Sequence, residues 1–291
     1  MKRKLLMLGV LLLCCFCMIP TPLFANSNDV SNLTIECPVS NMNISLYRVA
    51  DENRVLTNKF SNYSIDLNQK NESGWQGVAN VLENHILKDQ IEADYSALSD
   101  DSLHCFFNGL ASGIYLAIPQ EVEKDGWFYT PQVSLISLTG NLVVDLKYEK
   151  NDKPVLTKTS LHVLKVWKKD YKKDRPTSIE VSLLKTDASG NTVVADQQVL
   201  NSQNQWSYTW EDLSTLYKYS VLETKVPSGY KESCMKEKNS VILTNTGNRK
   251  EKKKKKDKEL PLTGQLWWPV PVLLFVGLAL FGLGRQLRNE K

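Results

Sequence analysis

Tyr217-Lys218-Tyr219-Ser220-Val221-Leu222-Glu223-Thr224, followed by Pro227-Ser228-Gly229, is the stretch on which the reading of this chain turns. It reads as one β-strand ended by a turn. The same rhythm holds on both sides. Strands are expected over 161–167, 178–185, 193–200, 206–210 and 240–244. Arg175-Pro176 and Ala188-Ser189-Gly190-Asn191 supply loops between them. Six or seven short strands in under 90 residues predict a β-sandwich.

The region 30–150 reads the same way. Leu33-Thr34-Ile35 and Ile44-Ser45-Leu46-Tyr47-Arg48-Val49 alternate with period two. Further strands are expected over 63–67, 103–107, 113–118, 133–138 and 142–148, with turns at Gly109, Ser112-Gly113 and Thr139-Gly140-Asn141. One helix is expected over 75–87, because Val78, Ala79, Leu82 and Ile86 recur at helical spacing. The fold class is therefore all-β: two sandwich domains, 30–150 and 155–247, the first with an inserted helix. Asn151-Asp152-Lys153-Pro154 is the expected linker.

The two ends carry targeting information. Lys2, Arg3 and Lys4 precede an apolar run over 5–19 and then Pro20-Thr21-Pro22-Leu23-Phe24-Ala25. That is the pattern of a secretory signal peptide over 1–25. At the other end stand Leu260-Pro261-Leu262-Thr263-Gly264. About 19 uncharged residues follow over 266–284, enough to cross a bilayer core. Arg285, Arg288 and Lys291 come last, as the positive-inside rule expects of a cytoplasmic stub. This order resembles the LPXTG cell-wall sorting signal of Gram-positive surface proteins: motif 260–264, then a transmembrane helix and basic stub over 265–291. The resemblance implies that a sortase cuts between Thr263 and Gly264 and passes the Thr263 carboxyl to an amine of a peptidoglycan precursor or of another pilin subunit. The chain is then the substrate of covalent catalysis. Its destination is the cell-wall surface, after passing through the membrane as a precursor.

Charge supports no nucleic-acid partner. The chain carries a formal net charge of +4. That excess sits in the two processed ends and in residues 249–259, which hold eight basic and three acidic side chains. The folded part is acidic, so the basic balance is not a phosphate-binding surface. The spacer 248–259 lacks apolar residues and is expected to be disordered and to span the wall. Three cysteines remain after the signal peptide: Cys37, Cys105 and Cys234. Their spacing matches no metal motif. Cys37 and Cys105 could pair if their strands are adjacent; otherwise all three are buried thiols. His85, His104 and His162 are scattered and read as surface or packing residues. No cofactor and no metal site is expected.

A family resemblance covers 161–246. Lys165-Val166-Trp167, Arg175-Pro176-Thr177-Ser178-Ile179-Glu180-Val181, Trp206-Ser207-Tyr208-Thr209-Trp210, Tyr219-Ser220-Val221-Leu222-Glu223-Thr224, Pro227-Ser228-Gly229-Tyr230 and Thr244-Asn245-Thr246 occur in order. Together they resemble the collagen-adhesin B-type (Cna B-type) domain of Gram-positive surface proteins and pilins. The resemblance implies an intramolecular isopeptide bond between Lys165 and Asn245, assisted by Glu223. Burial disfavours the charged lysine and favours a protonated carboxyl, so Glu223 can relay protons while ammonia leaves.

The first region resembles, more loosely, the N-terminal modules of sortase-processed pilin-like proteins. Ser45-Leu46-Tyr47-Arg48-Val49-Ala50-Asp51 and Phe107-Asn108-Gly109-Leu110-Ala111-Ser112-Gly113-Ile114-Tyr115-Leu116 carry it. Its first strand has no lysine, so no isopeptide bond is expected there. Val143-Val144-Asp145-Leu146-Lys147-Tyr148-Glu149-Lys150 is similar to the pilin motif, in which the lysine receives the next subunit. Here Glu149 replaces the motif's proline. The expected function is a cell-wall-anchored pilin-like subunit, a basal or minor pilin or an adhesin, that is not an enzyme. A host protein or glycan is a possible ligand, with Trp75, Trp127, Phe128 and Tyr129 either lining a contact surface or filling the core. The alternatives are a major pilus backbone polymerised through Lys150 and, in another class, a surface-displayed enzyme.

Overall fold

The computed structural model describes residues 30–152 and 156–249. The signal peptide, the lysine-rich spacer from residue 250 on, the 260–264 motif and the apolar run after it lie outside the described residues, as do Lys153 and Pro154 of the expected linker.

The first part runs β1 (Val30–Glu36), β2 (Asn43–Asp51), α1 (Glu72–Asp89), β3 (Tyr95–Leu98), β4 (His104–Ala111), β5 (Gly113–Pro119), β6 (Val122–Lys124), β7 (Trp127–Pro131), β8 (Ser134–Leu138), β9 (Leu142–Asp145) and β10 (Tyr148–Asp152). Sheets β4-β1-β9 and β3-β2-β5-β8 face each other, and β10-β7-β6 form a small third sheet. Alternation decides which side chains meet between the two main sheets. Leu33 and Ile35 of β1, Ile44 and Leu46 of β2, and Tyr115 of β5 fill the sandwich. Tyr47 and Val49 of β2, and Ile114 and Leu116 of β5, join a different apolar cluster.

That second cluster exists because of α1. Asn71 caps its N-terminus by accepting from the Gly74 N–H at 2.9 Å. Gln90 ends it in the left-handed conformation, φ 51, donating its N–H to the Ile86 carbonyl. The expected face of Val78, Ala79, Leu82 and Ile86 is buried, but so are Gly77, Asn80, Val81, Asn84 and His85. The helix is covered on two sides, by the first sandwich and by the second. A side chain at Gly77 would put its Cβ only 3.3 Å from Ser233 Cβ, so glycine lets the helix sit close against the neighbouring strand.

The second part runs β11 (Lys158–Lys168), a 3-10 turn (Lys172–Asp174), β12 (Ser178–Thr186), β13 (Thr192–Asn201), β14 (Ser207–Ser214), β15 (Lys218–Glu223), β16 (Lys231–Glu237) and β17 (Ser240–Thr246). Sheets β14-β11-β17-β16 and β13-β12-β15 make the sandwich. Its first and last strands, β11 and β17, lie side by side and parallel, with Lys165 opposite Leu243 and Trp167 opposite Asn245.

Several expectations change. Residues 63–67 alternate like a strand and bury Ile65 and Leu67, yet they form none. A single backbone bond, Glu232 N–H to the Ser64 carbonyl at 2.7 Å, ties this segment to β16. The sequence pattern does not mark strand β16, because Lys231-Glu232-Ser233-Cys234-Met235-Lys236-Glu237 buries Glu232 and Cys234 where apolar residues would signal a strand. Strands β3, β6 and β7 likewise carry no clear alternation in the sequence. Residues 151–152 belong to β10 rather than to a free linker. The two sandwiches are not independent: Leu82 of α1 shares one apolar cluster with Val163, Val221 and Leu243.

Candidate functional site

Strand parity builds the site. Leu161, Val163 and Lys165 point inward from β11, and Val241, Leu243 and Asn245 point inward from β17. Glu223 ends β15 on the facing sheet, next in register to Val181 of β12. Lysine, glutamate and asparagine therefore occupy positions that the pattern reserves for apolar side chains. All three are buried: Lys165 is 4% exposed, Glu223 2% and Asn245 1%. Lys168, three residues beyond Lys165, has the opposite parity and is exposed.

The three side chains converge. Lys165 Nζ donates to Glu223 Oε2 at 2.5 Å, and Asn245 Nδ2 donates to Glu223 Oε1 at 3.2 Å. One carboxylate thus bridges amine and amide. Asn245 Oδ1 is buried without a hydrogen-bond partner. The Trp167 ring lies 5.1 Å from Lys165 Nζ and is in turn packed edge-on by Trp206 and Tyr230. Arg175 holds Asp170 with two bonds at 2.7 and 2.9 Å, and the Tyr230 hydroxyl donates to Asp170, which pins Tyr230 beside this aromatic wall.

Burial sets the electrostatics. Desolvation lowers the Lys165 pKa below its ordinary value, against the opposing pull of Glu223. Desolvation also raises the Glu223 pKa, against the pull of Lys165. Both shifts favour the same event, passage of a proton from ammonium to carboxylate, which leaves a neutral amine and a neutral acid. A neutral amine is a nucleophile, and a protonated carboxyl can donate to a carbonyl. A half-turn of the Asn245 amide would exchange Nδ2 for Oδ1 and give the orphaned oxygen that donor. The cluster thus brings together an amine, a carboxyl and a carboxamide, the groups that an amide exchange at Asn245 Cγ would use.

Lys150 is elsewhere. It sits on β10 in the small sheet of the first sandwich, exposed, with Nζ 4.5 Å above the Trp127 ring and 5.5 Å from that of Tyr129. Trp127 is 40% exposed, whereas Trp75 packs on the shared core. Cys37, Cys105 and Cys234 are buried free thiols. His104 pairs loosely with Glu36 at 3.8 Å and His162 meets Thr209 at 2.9 Å.

Two residues near the cluster escaped the sequence. Glu232 of β16 is the cross-strand partner of Asn245 and is buried. His85 of α1 contacts Glu232 Oε1 through Nε2 at 2.9 Å. No local signal linked them, since they are 147 positions apart and Glu232 stands in a strand that lacks an apolar rhythm.

Comparison with known proteins gives one domain-level identification. Residues 161–246 match the Cna protein B-type domain. No curated protein matches the chain. Among solved structures, a single B repeat unit of the collagen-binding surface protein of Staphylococcus aureus is 18% identical, over 75% of this chain and 96% of that one, at TM-score 0.28. The minor pilin of Streptococcus agalactiae is 16% identical over 76% and 98%, at TM-score 0.25. The full-length major pilin of Corynebacterium diphtheriae is 9% identical over 75% and 97%, at TM-score 0.24. Superpositions this loose carry no argument about function, and the domain match over 161–246 is the firmer finding.

Proposed function

We propose that this chain is a pilin-like structural or adhesive subunit of the Gram-positive cell surface, joined to the wall by a sortase through Thr263 and braced by a Lys165–Asn245 isopeptide bond. One observation carries the reading: a buried lysine, glutamate and asparagine meet between the first and last strands of a domain that matches the Cna B-type family. The proton leaves Lys165 for Glu223. The neutral Nζ attacks Asn245 Cγ, Glu223 gives its proton to the departing amide nitrogen, and the restored carboxylate takes the second proton from Nζ and passes it to the released ammonia. Lysine ammonium and carboxamide become a secondary amide and ammonium, so atoms and charge balance. The product removes an ionised lysine from an interior that disfavours it.

The bond suits a load-bearing module. The chain enters the second sandwich at β11 and leaves it after β17, and these strands run parallel. A covalent tie from Lys165 to Asn245 routes tension past nearly everything between them. The sorting motif Leu260-Pro261-Leu262-Thr263-Gly264 places the point of attachment just beyond.

Intact mass of the secreted chain tests the bond: it should fall short of the sequence mass by one ammonia, and a linked Lys165–Asn245 peptide should appear after digestion. Full mass excludes it. Thr263→Ala should move the protein from the wall fraction to the membrane and medium; unchanged wall attachment excludes the sorting role. A second reading, polymerisation through Lys150, is favoured by the exposure of that lysine on an outer strand of its sheet. Lys150→Arg should then abolish a sortase-dependent ladder of oligomers.

A further inference from the structure

The second sandwich has an open side, bounded by β15 on one sheet and β16 on the other, each the last strand of its sheet. Helix α1 of the first part lies across this opening. Its Asn84 Nδ2 donates to the Val221 carbonyl of β15 at 2.9 Å, and its Asn80 Nδ2 donates to the Cys234 carbonyl of β16 at 2.8 Å. Two helix asparagines thus cap backbone carbonyls on strands of opposite sheets, where an unpaired edge would otherwise demand water. Glu83 reaches Lys236 of β16 at 2.6 Å.

The closure lies against the cross-link cluster itself. Val221, held by Asn84, is two residues from Glu223 on the same strand. Glu232, held by His85, faces Asn245 across the β16–β17 ladder. Directly opposed residues of an antiparallel pair project to the same side, so Glu232 and Asn245 share the inward face. Tyr63 stacks on His85, with centroids 4.1 Å apart and planes at 19°, and its hydroxyl donates to Asp89. Asn84 Oδ1 and His85 Nδ1 are buried without partners, so the helix places polar groups in this interior beyond those that cap the strands.

We infer that α1 is the closing wall of the cross-link chamber and that His85 and Glu232 are positioning residues for the Lys165–Asn245 reaction, so the first sandwich must dock before the second can form its bond. The inference rests on the isopeptide reading above. Docking excludes water from between β15 and β16, and desolvation is the leading cause of both the depressed lysine and the raised glutamate. The His85–Glu232 contact fixes β16, and with it the strand that carries Asn245. A displacement of about 1 Å at a reacting centre costs about a hundredfold in rate.

The test follows bond formation after synthesis in the full secreted chain, by the ammonia-sized mass loss and the linked peptide. Gly77→Trp wedges α1 away from Ser233; His85→Ala removes the Glu232 contact; His85→Gln keeps a donor to Glu232. Hydrogen exchange on the same samples reads α1 docking and the integrity of β15–β17. Expected are bond formation about a hundredfold slower in Gly77→Trp and about tenfold slower in His85→Ala, with native protection in β15–β17, and recovery in His85→Gln. Wild-type rates in chains whose α1 has lost protection overturn the inference while leaving the isopeptide reading intact. Slow bonding together with lost protection in β15–β17 is a folding defect and also overturns it. A wild-type chain of full mass overturns both.

Discussion

Asn245→Ala removes the electrophile and leaves the Lys165–Glu223 pair in place. The cross-link from residue 165 to 245 closes a loop of roughly 80 residues, and by analogy with a disulfide of that span it stabilises by about 4–5 kcal/mol. The effect on melting depends on the size of the cooperative unit. The shared core around Leu82 joins both sandwiches, so the unit is the whole of roughly 220 described residues rather than one domain. A unit of that size shifts by about 2–4 °C per kcal/mol, which gives a fall of about 8–20 °C in a single transition. Calorimetry of the two secreted chains, each with its mass confirmed, measures this. A fall of under about 3 °C between a cross-linked wild type and Asn245→Ala refutes the reasoning. Two separate transitions, only one of them shifted, refute the shared unit.

The bond-deficient chain should also carry a pH signature. Glu223 has a folded pKa above its ordinary 4.5, so the stability it gives below that value is lost as pH rises through the folded pKa. Lys165 has a folded pKa below its ordinary 10.5, so stability is regained as pH climbs from the folded value toward 10.5. Asn245→Ala should therefore fall furthest behind wild type between those limits, and a pH-independent difference in melting temperature counts against the buried ionised pair. Glu223→Ala keeps amine and amide but removes the proton relay, and should leave the chain at full mass; an ammonia-sized loss in that variant dismisses Glu223. Burial pushes the Cys37 and Cys234 thiols up to about 11 and Cys105 up to about 12. A thiol reagent at neutral pH should label none of the three until denaturant is added, and labelling of the native chain contradicts their burial. Leu82→Ala should destabilise by about 2–5 kcal/mol, seen as a lower denaturation midpoint of both sandwiches together.

The strands with clean alternation were legible. β1, β2, β5, β11, β12 and β17 stand where the period-two pattern puts them, and α1 buries the four residues that its spacing selects. Residues 63–67 misled, because alternation reports which side chains are buried, not whether a partner strand is there to pair. β16 was missed for the converse reason: its inward positions hold Glu232 and Cys234, which signal nothing apolar in sequence. Lys165, Glu223 and Asn245 were readable only through family resemblance, as polar residues at core parity. The roles of Asn80, Asn84 and His85 were not readable, since a helix moment registers apolar faces and is blind to asparagines that bond to a distant strand edge.

Local pattern by itself determined the strand-rich class, the helix over its apolar face and the residue order at the two ends. Those properties depend on near neighbours: side-chain parity along a strand, 3.6-residue spacing along a helix, residue order in a motif. Tertiary structure alone decided that the two sandwiches share one core and that α1 closes the open side of the second. That closure joins Asn84 to Val221 and His85 to Glu232, across more than a hundred residues. Its geometry is set by which unpaired sheet edges the packed chain brings to the helix, a property no window of sequence contains.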